Sequence, residues 1–167
     1  TDGWKMLQLD PLQTLDYANE AANDTLSISS PYLKDSVFRL TAFCYGDMNN
    51  RTKALENHLN RIRVLSTIDT LSKPLASAYY ETAHVFLSQG NDELAYPYFL
   101  RCKEIAHQIK YDTQEGQVSI DLGDLAFKQG KNEEAIGFYQ VGVDVFKAYE
   151  QFAFVVGYAE AKIALVY

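Results

Sequence analysis

The sequence predicts an all-α protein, a right-handed superhelix of tandem antiparallel helix pairs, and three observations support this prediction. Residues 88–95 align with residues 128–135, so that Gly90 matches Gly130 and Ala95 matches Ala135 at a spacing of forty residues. Apolar side chains recur every three or four positions, as on one face of a helix, and strand-like alternation is nearly absent. A period of about 20 to 50 residues indicates a solenoid, in which each unit packs on its sequence neighbours.

The periodicity, followed outward from the two glycine turns, predicts eight helical segments. They cover approximately residues 11–25, 31–48, 52–67, 73–89, 92–109, 114–129, 132–149 and 152–167. Pro31 and Pro74 stand at or before helix starts, where proline is tolerated. Pro97 falls inside its segment and predicts a slight bend or a shifted helix start.

The two turns follow the same pattern of a helix stop and a helix restart. Gly90 and Gly130 are suited to the left-handed conformation that ends a helix, and Asn91 or Asp92 can cap the helix that follows. No linker divides the chain, which we therefore interpret as one array over residues 1–167. Its repeats cover approximately residues 31–72, 73–112 and 113–152, with partial units at 1–30 and 153–167.

The composition excludes several classes of protein. With 167 residues, of which 47% are hydrophobic, the chain can form a core and is not expected to be disordered. A net charge of −7 argues against nucleic-acid binding, which needs a basic surface to neutralise phosphates. No apolar stretch reaches the roughly 18 residues of a membrane-spanning helix, and no targeting peptide is recognisable. We expect a soluble chain, either cytoplasmic or periplasmic.

These repeats resemble the tetratricopeptide repeat, a helix-turn-helix unit. In residues 113–152, Leu122 and Gly123 occupy the family's Leu-Gly pair and Gly130 its inter-helix glycine, and the second helix supplies its small, aromatic and small positions with Ala135, Tyr139 and Gly142. The preceding repeat supplies the corresponding residues Ala83, Phe86, Gly90, Ala95, Phe99 and Cys102. Small side chains let two helices approach closely, and the aromatic rings fill the space beside them.

The repeat at residues 31–72 fits less well, because its second helix can be aligned in two registers. One register uses Ala54, His58 and Arg61; the other, one residue later, uses Leu55, Leu59 and Ile62. The later register gives the better apolar stripe and is the one we favour. It implies one extra residue in the turn at residues 48–51.

Candidate catalytic and metal-binding patterns are absent from the sequence. His58, His84 and His107 fall on three different helices without metal-ligand spacing, and no nucleophile elbow occurs. Lys131 follows Gly130, but the spacing of a phosphate-binding loop is not met. Cys44 and Cys102 are interpreted as small buried side chains. We predict no enzyme activity, no metal site and no cofactor.

The resemblance does imply a binding groove, since the first helix of each unit in this family lines a concave surface. The family's inward positions fall on Arg39, Phe43, Tyr80, His84, Gln117, Asp124 and Lys128, which are the predicted groove residues. Further inward positions are Ser36, Ser77, Ser88 and Ile120, and Tyr158, Ala161 and Leu165 would extend the floor. Aromatic and hydrogen-bonding groups together suit an extended peptide or a helix. The alternative is that these are ordinary solvated positions.

The leading hypothesis is a non-enzymatic scaffold that binds a protein or peptide through this concave face. The repeats are about six residues longer than the usual 34 or so. That length resembles the arrays of bacterial sensors and regulators, and the alternative is therefore a sensory or dimerising region of such a regulator. The apolar run at residues 163–167 would need a cover, which also makes a homodimer through terminal helices possible. A third class is an accessory subunit or substrate-binding domain of an enzyme.

Overall fold

The structure is a computed structural model that describes residues 12–17, residue 20 and residues 30–166. All regular secondary structure within these residues is helical, so the all-α prediction is confirmed. Residues 12–17 are helical, but most of the predicted segment at 11–25 lies outside the described residues. The later part of the chain contains α1 to α7, with bounds Pro31–Asp47, Arg51–Ser66, Lys73–Ser88, Asp92–Gln108, Asp112–Lys128, Asn132–Phe146 and Ala153–Val166.

The helix bounds agree with the predicted segments to within two residues, except at the end of α6. The prediction continued this helix to residue 149, whereas it ends at Phe146 and a short 3-10 turn, Glu150–Phe152, precedes α7. The chain passes through an extended Tyr149, which brings the ring of Phe152 to 4.4 Å from that of Phe146. Pro97 lies inside an unbroken α4 that begins at Asp92, so the helix start is not shifted.

The chain divides into two compact units, Thr1–Thr70 and Leu71–Tyr167. In the first unit α1 packs against α2. In the second unit each helix from α3 to α6 packs on the next along the chain, and α3 also contacts α5. Packing between consecutive helices is the arrangement of a helical repeat solenoid, as the sequence predicts.

The left-handed turns predicted at Gly90 and Gly130 are confirmed, with φ angles of 75° and 72°. The amide after each glycine donates to a carbonyl in the last turn of the preceding helix at 2.9 Å, which satisfies a free helix end. Asn49 and Lys110 adopt the same left-handed conformation, with φ angles of 55° and 57°. Asn91 is the residue that precedes α4, but its side chain makes no capping hydrogen bond.

The turn at Asn49 corrects the predicted register of α2. Ala54 follows Asn49 by five residues, as Ala95 follows Gly90, so no extra residue is present. The buried residues of α2 are Ala54, His58, Arg61 and Leu65. The favoured later register, on Leu55, Leu59 and Ile62, was therefore wrong. Arg61 can occupy a core position of α2 because it forms a buried ion pair with Asp35 of α1.

Close packing of α5 on α6 depends on glycines. A Cβ atom at Gly123 would lie 2.7 Å from ring atoms of Tyr139, and one at Gly116 would lie 2.9 Å from Cζ of Phe146. Tyr139 and Phe146 are almost completely buried. Both aromatic side chains of α6 thus pack directly on the backbone of α5, as the small and aromatic positions of the repeat predict.

The two cysteines are free and buried, one in each unit. Cys102 has no solvent exposure, and burial, followed by the charge of Asp121, raises the pKa of its thiol to about 12. A thiol with that pKa stays protonated at neutral pH, so Cys102 acts as a small core residue.

Candidate functional site: a polar face along the first helices

The candidate site of the second unit is a row of side chains on α3, α5 and α7, the first helices of successive pairs. We call it the first-helix face. It consists of Tyr80, His84, Gln117, Asp121, Asp124, Lys128, Tyr158 and Lys162. The spacings of three and four residues within each helix place these residues on one side of it. Side-chain contacts described below connect the three helices.

The first cluster on this face joins α3 to α5 over an aromatic floor. Nε2 of His84 lies 3.5 Å from Oδ2 of Asp121. The rings of Tyr80 and His84 meet edge to face with centroids 4.5 Å apart, and both pack against the fully buried ring of Phe99. Because Phe99 comes from α4, the second helix of the pair supports the side chains that the first helix presents.

Tyr80 and Asp121 are coupled through the Tyr80 hydroxyl. Burial raises the pKa of this hydroxyl well above its usual range, and the negative charge of Asp121 and a hydrogen bond to it raise that pKa further. A hydrogen bond to Gln117 acts in the opposite direction. The hydroxyl therefore remains a neutral donor at any physiological pH.

The facing atoms of His84 and Asp121 form an ion pair across α3 and α5 without a hydrogen bond. Nε2 of His84 and Oδ2 of Asp121 are shielded from solvent and have no hydrogen-bond partner within the described part of the chain. Buried polar atoms generally find a partner in native proteins. Since solvent reaches neither atom, a bound segment would contact the exposed part of the His84 side chain, which is 42% accessible.

The second cluster is centred on Asp124 and joins α5, α6 and α7. Its Oδ1 accepts hydrogen bonds from the hydroxyls of Tyr139 at 2.6 Å and Tyr158 at 2.7 Å. Nζ of Lys162 lies 4.0 Å from the same oxygen. Burial and the bond to Asp124 raise the pKa of both phenols above the usual range, so both remain donors. Asp124 thus has a structural role as well as a place on the surface.

Two lysines, Lys128 of α5 and Lys162 of α7, belong to the face. Lys128 forms an ion pair with Asp92, the first residue of α4, and its side chain remains two-thirds exposed. Nζ of Lys162 lies 4.8 Å from the ring centroid of Phe127 and 5.3 Å from that of Tyr158. The face therefore carries carboxylates and cations, of which Lys162 lies above aromatic rings.

The predicted groove residues fall in both units. Tyr80, His84, Gln117, Asp124 and Lys128 lie on the first-helix face of the second unit. Arg39 and Phe43 lie on α1 in the first unit, where both are exposed and Phe43 has 67% of its surface accessible.

One inward position was misplaced by the sequence and two residues of the face were missed. Ile120, predicted to line the groove, is buried and packs against Gly142, and the neighbouring Asp121 occupies the face instead. Asp121 and Lys162 were not predicted. The available signal was that Asp121 follows Gln117 by four residues, which places both on one side of α5.

The described residues provide neither a metal site nor a membrane helix. Within residues 12–17, 20 and 30–166 no three His, Cys, Asp or Glu side chains are arranged to hold a metal ion. Nor is any helix in these stretches both long and apolar enough to cross a bilayer.

Comparisons with known proteins place this geometry in a family. The family model described as Tetratricopeptide repeat matches residues 74–148. The crystal structure of BtubC (BKLC) from P. vanneervenii is similar, with a TM-score of 0.83 and 16% identity, which shows the fold alone. The similarity covers 95% of this chain and 65% of the other, so this chain spans less than two thirds of that protein's length. No curated protein matches the sequence significantly.

Tetratricopeptide repeats generally mediate protein–protein interactions, and their all-helical fold is typically a non-enzymatic scaffold. The match includes both glycine turns and the aromatic positions Phe99 and Tyr139 that support the first-helix face. Residues 74–148 therefore match the tetratricopeptide repeat, and the chain has the fold of a helical repeat solenoid.

Proposed function

We propose that this chain is a non-enzymatic interaction scaffold that binds a peptide or protein segment through the first-helix face of its second unit. One observation carries the proposal: the polar ends of Tyr80, His84 and Asp121 converge from two helices over the buried ring of Phe99. A few ordered polar groups above an apolar floor are what a bound side chain or peptide backbone can use.

The face is also largely pre-formed, which favours binding. Asp124 is held by two tyrosine hydroxyls, and Tyr80 by its packing on Phe99 and its link to Asp121. Side chains that are already ordered lose little conformational entropy when a partner binds. Aromatic residues at such positions commonly carry most of the binding energy of an interface.

Arg39 and Phe43 remain part of the proposal as contacts within the first unit. They are one helical turn apart on α1, and both are exposed. An exposed phenylalanine beside an arginine is an interface composition, since both residue types are enriched at protein contacts. The long-repeat interpretation, with a sensory or dimerising role in a bacterial regulator, stays a prediction from the sequence.

The test starts from peptides selected against the whole chain from a random display library, with affinities then measured by titration. Tyr80→Phe removes only a hydroxyl, and His84→Ala removes the partner of Asp121. We expect either change to weaken the selected peptides about fivefold or more, since a lost hydrogen bond contributes roughly 1 kcal/mol. The matched control is Tyr98→Phe, a half-buried tyrosine of α4 that packs on Tyr79 and Phe86 instead.

Two results would contradict the proposal. One is a library that yields no binder at all. The other is a set of peptides whose affinities respond to Tyr98→Phe but to neither Tyr80→Phe nor His84→Ala, because such peptides would use another surface.

A further inference from the structure

The imidazole of His84 presents its two nitrogens to different surroundings. Nε2 is shielded from solvent and faces Oδ2 of Asp121 at 3.5 Å. Nδ1 is not enclosed in this way and makes no hydrogen bond within the described part of the chain. The side chain as a whole is 42% accessible. On the first-helix face the ring therefore offers Nδ1 to a bound segment.

The Asp121 carboxylate decides which nitrogen of the neutral ring carries the proton. A negative charge beside Nε2 favours the tautomer with the proton on that nitrogen, because the N–H group then points at the carboxylate. In this tautomer the lone pair of Nδ1 is free, so Nδ1 is a hydrogen-bond acceptor. It stops being an acceptor when the ring takes up a second proton, which imidazole side chains in water do at about pH 6.5.

The charges of the second unit favour a cation as the group that meets Nδ1. Both lysines of the first-helix face are already paired with carboxylates of α4 or α5. The carboxylate of Asp121, in contrast, has no lysine or arginine partner among the described residues. Residues 71–167, which form this unit, contain thirteen aspartates and glutamates against eight lysines and arginines. A cationic donor at Nδ1 would therefore be attracted both by Asp121 and by the acidic surface around it.

The other titratable groups around His84 leave it as the group that responds to mild acidification. Tyr80 lies on the same helix and Cys102 on α4, and burial raises the pKa of the tyrosine well above its usual range and that of the thiol to about 12. Both therefore stay neutral. The remaining groups are the carboxylates of Asp121 on α5 and of Glu81, which precedes His84 by one helical turn. Carboxyl groups titrate at more acidic pH than imidazoles, so a proton taken up here under mild acidification goes to the ring.

We propose that Nδ1 of neutral His84 accepts a hydrogen bond from a lysine or arginine side chain of the bound segment, and that protonation of His84 releases this segment. The inference rests on the proposed function, because it assigns a partner chemistry and a regulation to the same face. At neutral pH the cation gains an acceptor and the attraction of Asp121. After protonation Nδ1 carries a hydrogen and the ring a positive charge, so the acceptor is lost and the cation is repelled.

The probes are peptides selected against the whole chain from a random display library at about pH 7.5. Only peptides that Tyr80→Phe or His84→Ala weakens are kept, since these use the first-helix face. We expect them to share a lysine or arginine whose replacement by norleucine weakens binding about tenfold or more, because a hydrogen bond from a charged group is lost. Titration of the same peptides at about pH 5.5 should give affinities lower by about tenfold or more.

Two variants show whether the pH effect belongs to His84. His84→Asn keeps an acceptor, its amide oxygen, near the position of Nδ1, and its side chain takes up no proton. We expect this variant to retain part of the affinity and to bind equally well at both pH values. The matched control is His107→Gln, because His107 is an exposed histidine of the same unit that pairs with Glu115 at 2.9 Å and lies outside the face. It should keep the pH profile of the wild type.

The outcomes distinguish this inference from the proposed function. Peptides that need the face but share no basic residue, or that bind equally well at both pH values, would overturn the inference and leave the proposed function standing. A library without any face-dependent binder would overturn both. The nitrogen chemical shifts of the His84 ring in the free chain give a reading without a partner: we expect the proton on Nε2, and a proton on Nδ1 in the neutral ring would also overturn the inference.

Discussion

The same helix crossing is built from opposite chemistry in the two units. In the second unit Gly116 of α5 and Gly142 of α6 let the backbones approach. The equivalent positions two repeats earlier, after one step of 40 residues and one of 41, are Asp35 of α1 and Arg61 of α2. There Nε of Arg61 donates to Oδ1 of Asp35 at 2.8 Å, and the arginine side chain is only 1% exposed.

The difference shows what a helix pair of this kind requires. The left-handed turn and the small residue after it, Ala54 or Ala135, recur in both units, whereas the crossing itself tolerates a charge pair or two glycines. A buried ion pair is weak evidence for extra stability, because desolvation of both charges offsets their attraction. In the first unit the two charges must therefore be kept or removed together, whereas the second unit depends on steric fit.

The largest expected effect comes from removal of one charge in the first unit. Asp35→Ala leaves the Arg61 guanidinium in the core without its carboxylate, and we expect a loss of about 3–5 kcal/mol in the free energy of unfolding. Urea titration followed by circular dichroism measures this loss, with Asp47→Ala on the exposed end of α1 as control. A loss below about 1 kcal/mol would show that the pair is not needed for the crossing.

The pH dependence of the first unit separates the two crossings further. His58 occupies the position of Phe99 and Tyr139, and burial, followed by the charge of Arg61, lowers its pKa from 6.5 to about 4. The unfolded chain binds the proton at a higher pH than the folded chain does. Stability from the neutral imidazole is therefore complete above pH 6.5 and is lost as the pH falls from 6.5 to about 4.

This loss is expected to total about 3 kcal/mol, because the pKa of His58 falls from 6.5 to about 4 on folding. The measurement is a series of urea titrations between pH 7 and pH 4 on the wild type and on His58→Phe, which has the residue of the second repeat. Carboxylates titrate in both proteins, so only the difference between their pH profiles reports His58. Parallel profiles would mean that His58 is protonated equally in the folded and unfolded chains.

The second unit should respond to added volume. Gly123→Leu forces a side chain into the ring of Tyr139, and we expect a loss of about 1–3 kcal/mol from overpacking. Gly137→Leu adds the same atoms on an open side of α6 and should leave stability within about 0.5 kcal/mol or raise it. Thermal unfolding of both variants provides the comparison, and equal melting temperatures would contradict steric control.

These crossings also show why the sequence predicted one unit better than the other. Glycines at 90 and 130 mark their turns, because few other residues adopt a left-handed conformation. Asn49 and Lys110 make the same turn without that mark. The register of α2 was misjudged because apolarity was taken as the sign of burial, whereas Arg61 is buried by a partner 26 residues away.

The candidate site was predictable to the accuracy of a helix register. Repeat alignment selected Tyr80, His84 and Asp124, whose part in binding stays a prediction. Ile120 and Asp121 are adjacent and point about 100° apart around α5. Periodicity alone did not decide which of them lies on the first-helix face. The hydrogen bonds from Tyr139 and Tyr158 to Asp124 depend on the packing of three helices, and no local pattern encodes them.

Conversion of one crossing into the other should have the smallest effect and is the most direct test of the comparison. The double change Asp35→Ala with Arg61→Cys introduces the residue types that the next repeat has at the equivalent positions, Ala76 and Cys102. Since no unpaired charge is then left in the core, we expect the double variant to lose only about 1–2 kcal/mol, which is the cost of the cavity that the smaller side chains leave. Each single change should lower the free energy of unfolding more than the double change does, so the double-mutant cycle should show strong coupling. If the losses simply add, then the small residues cannot replace the ion pair, and the two crossings are not equivalent solutions to the same packing problem.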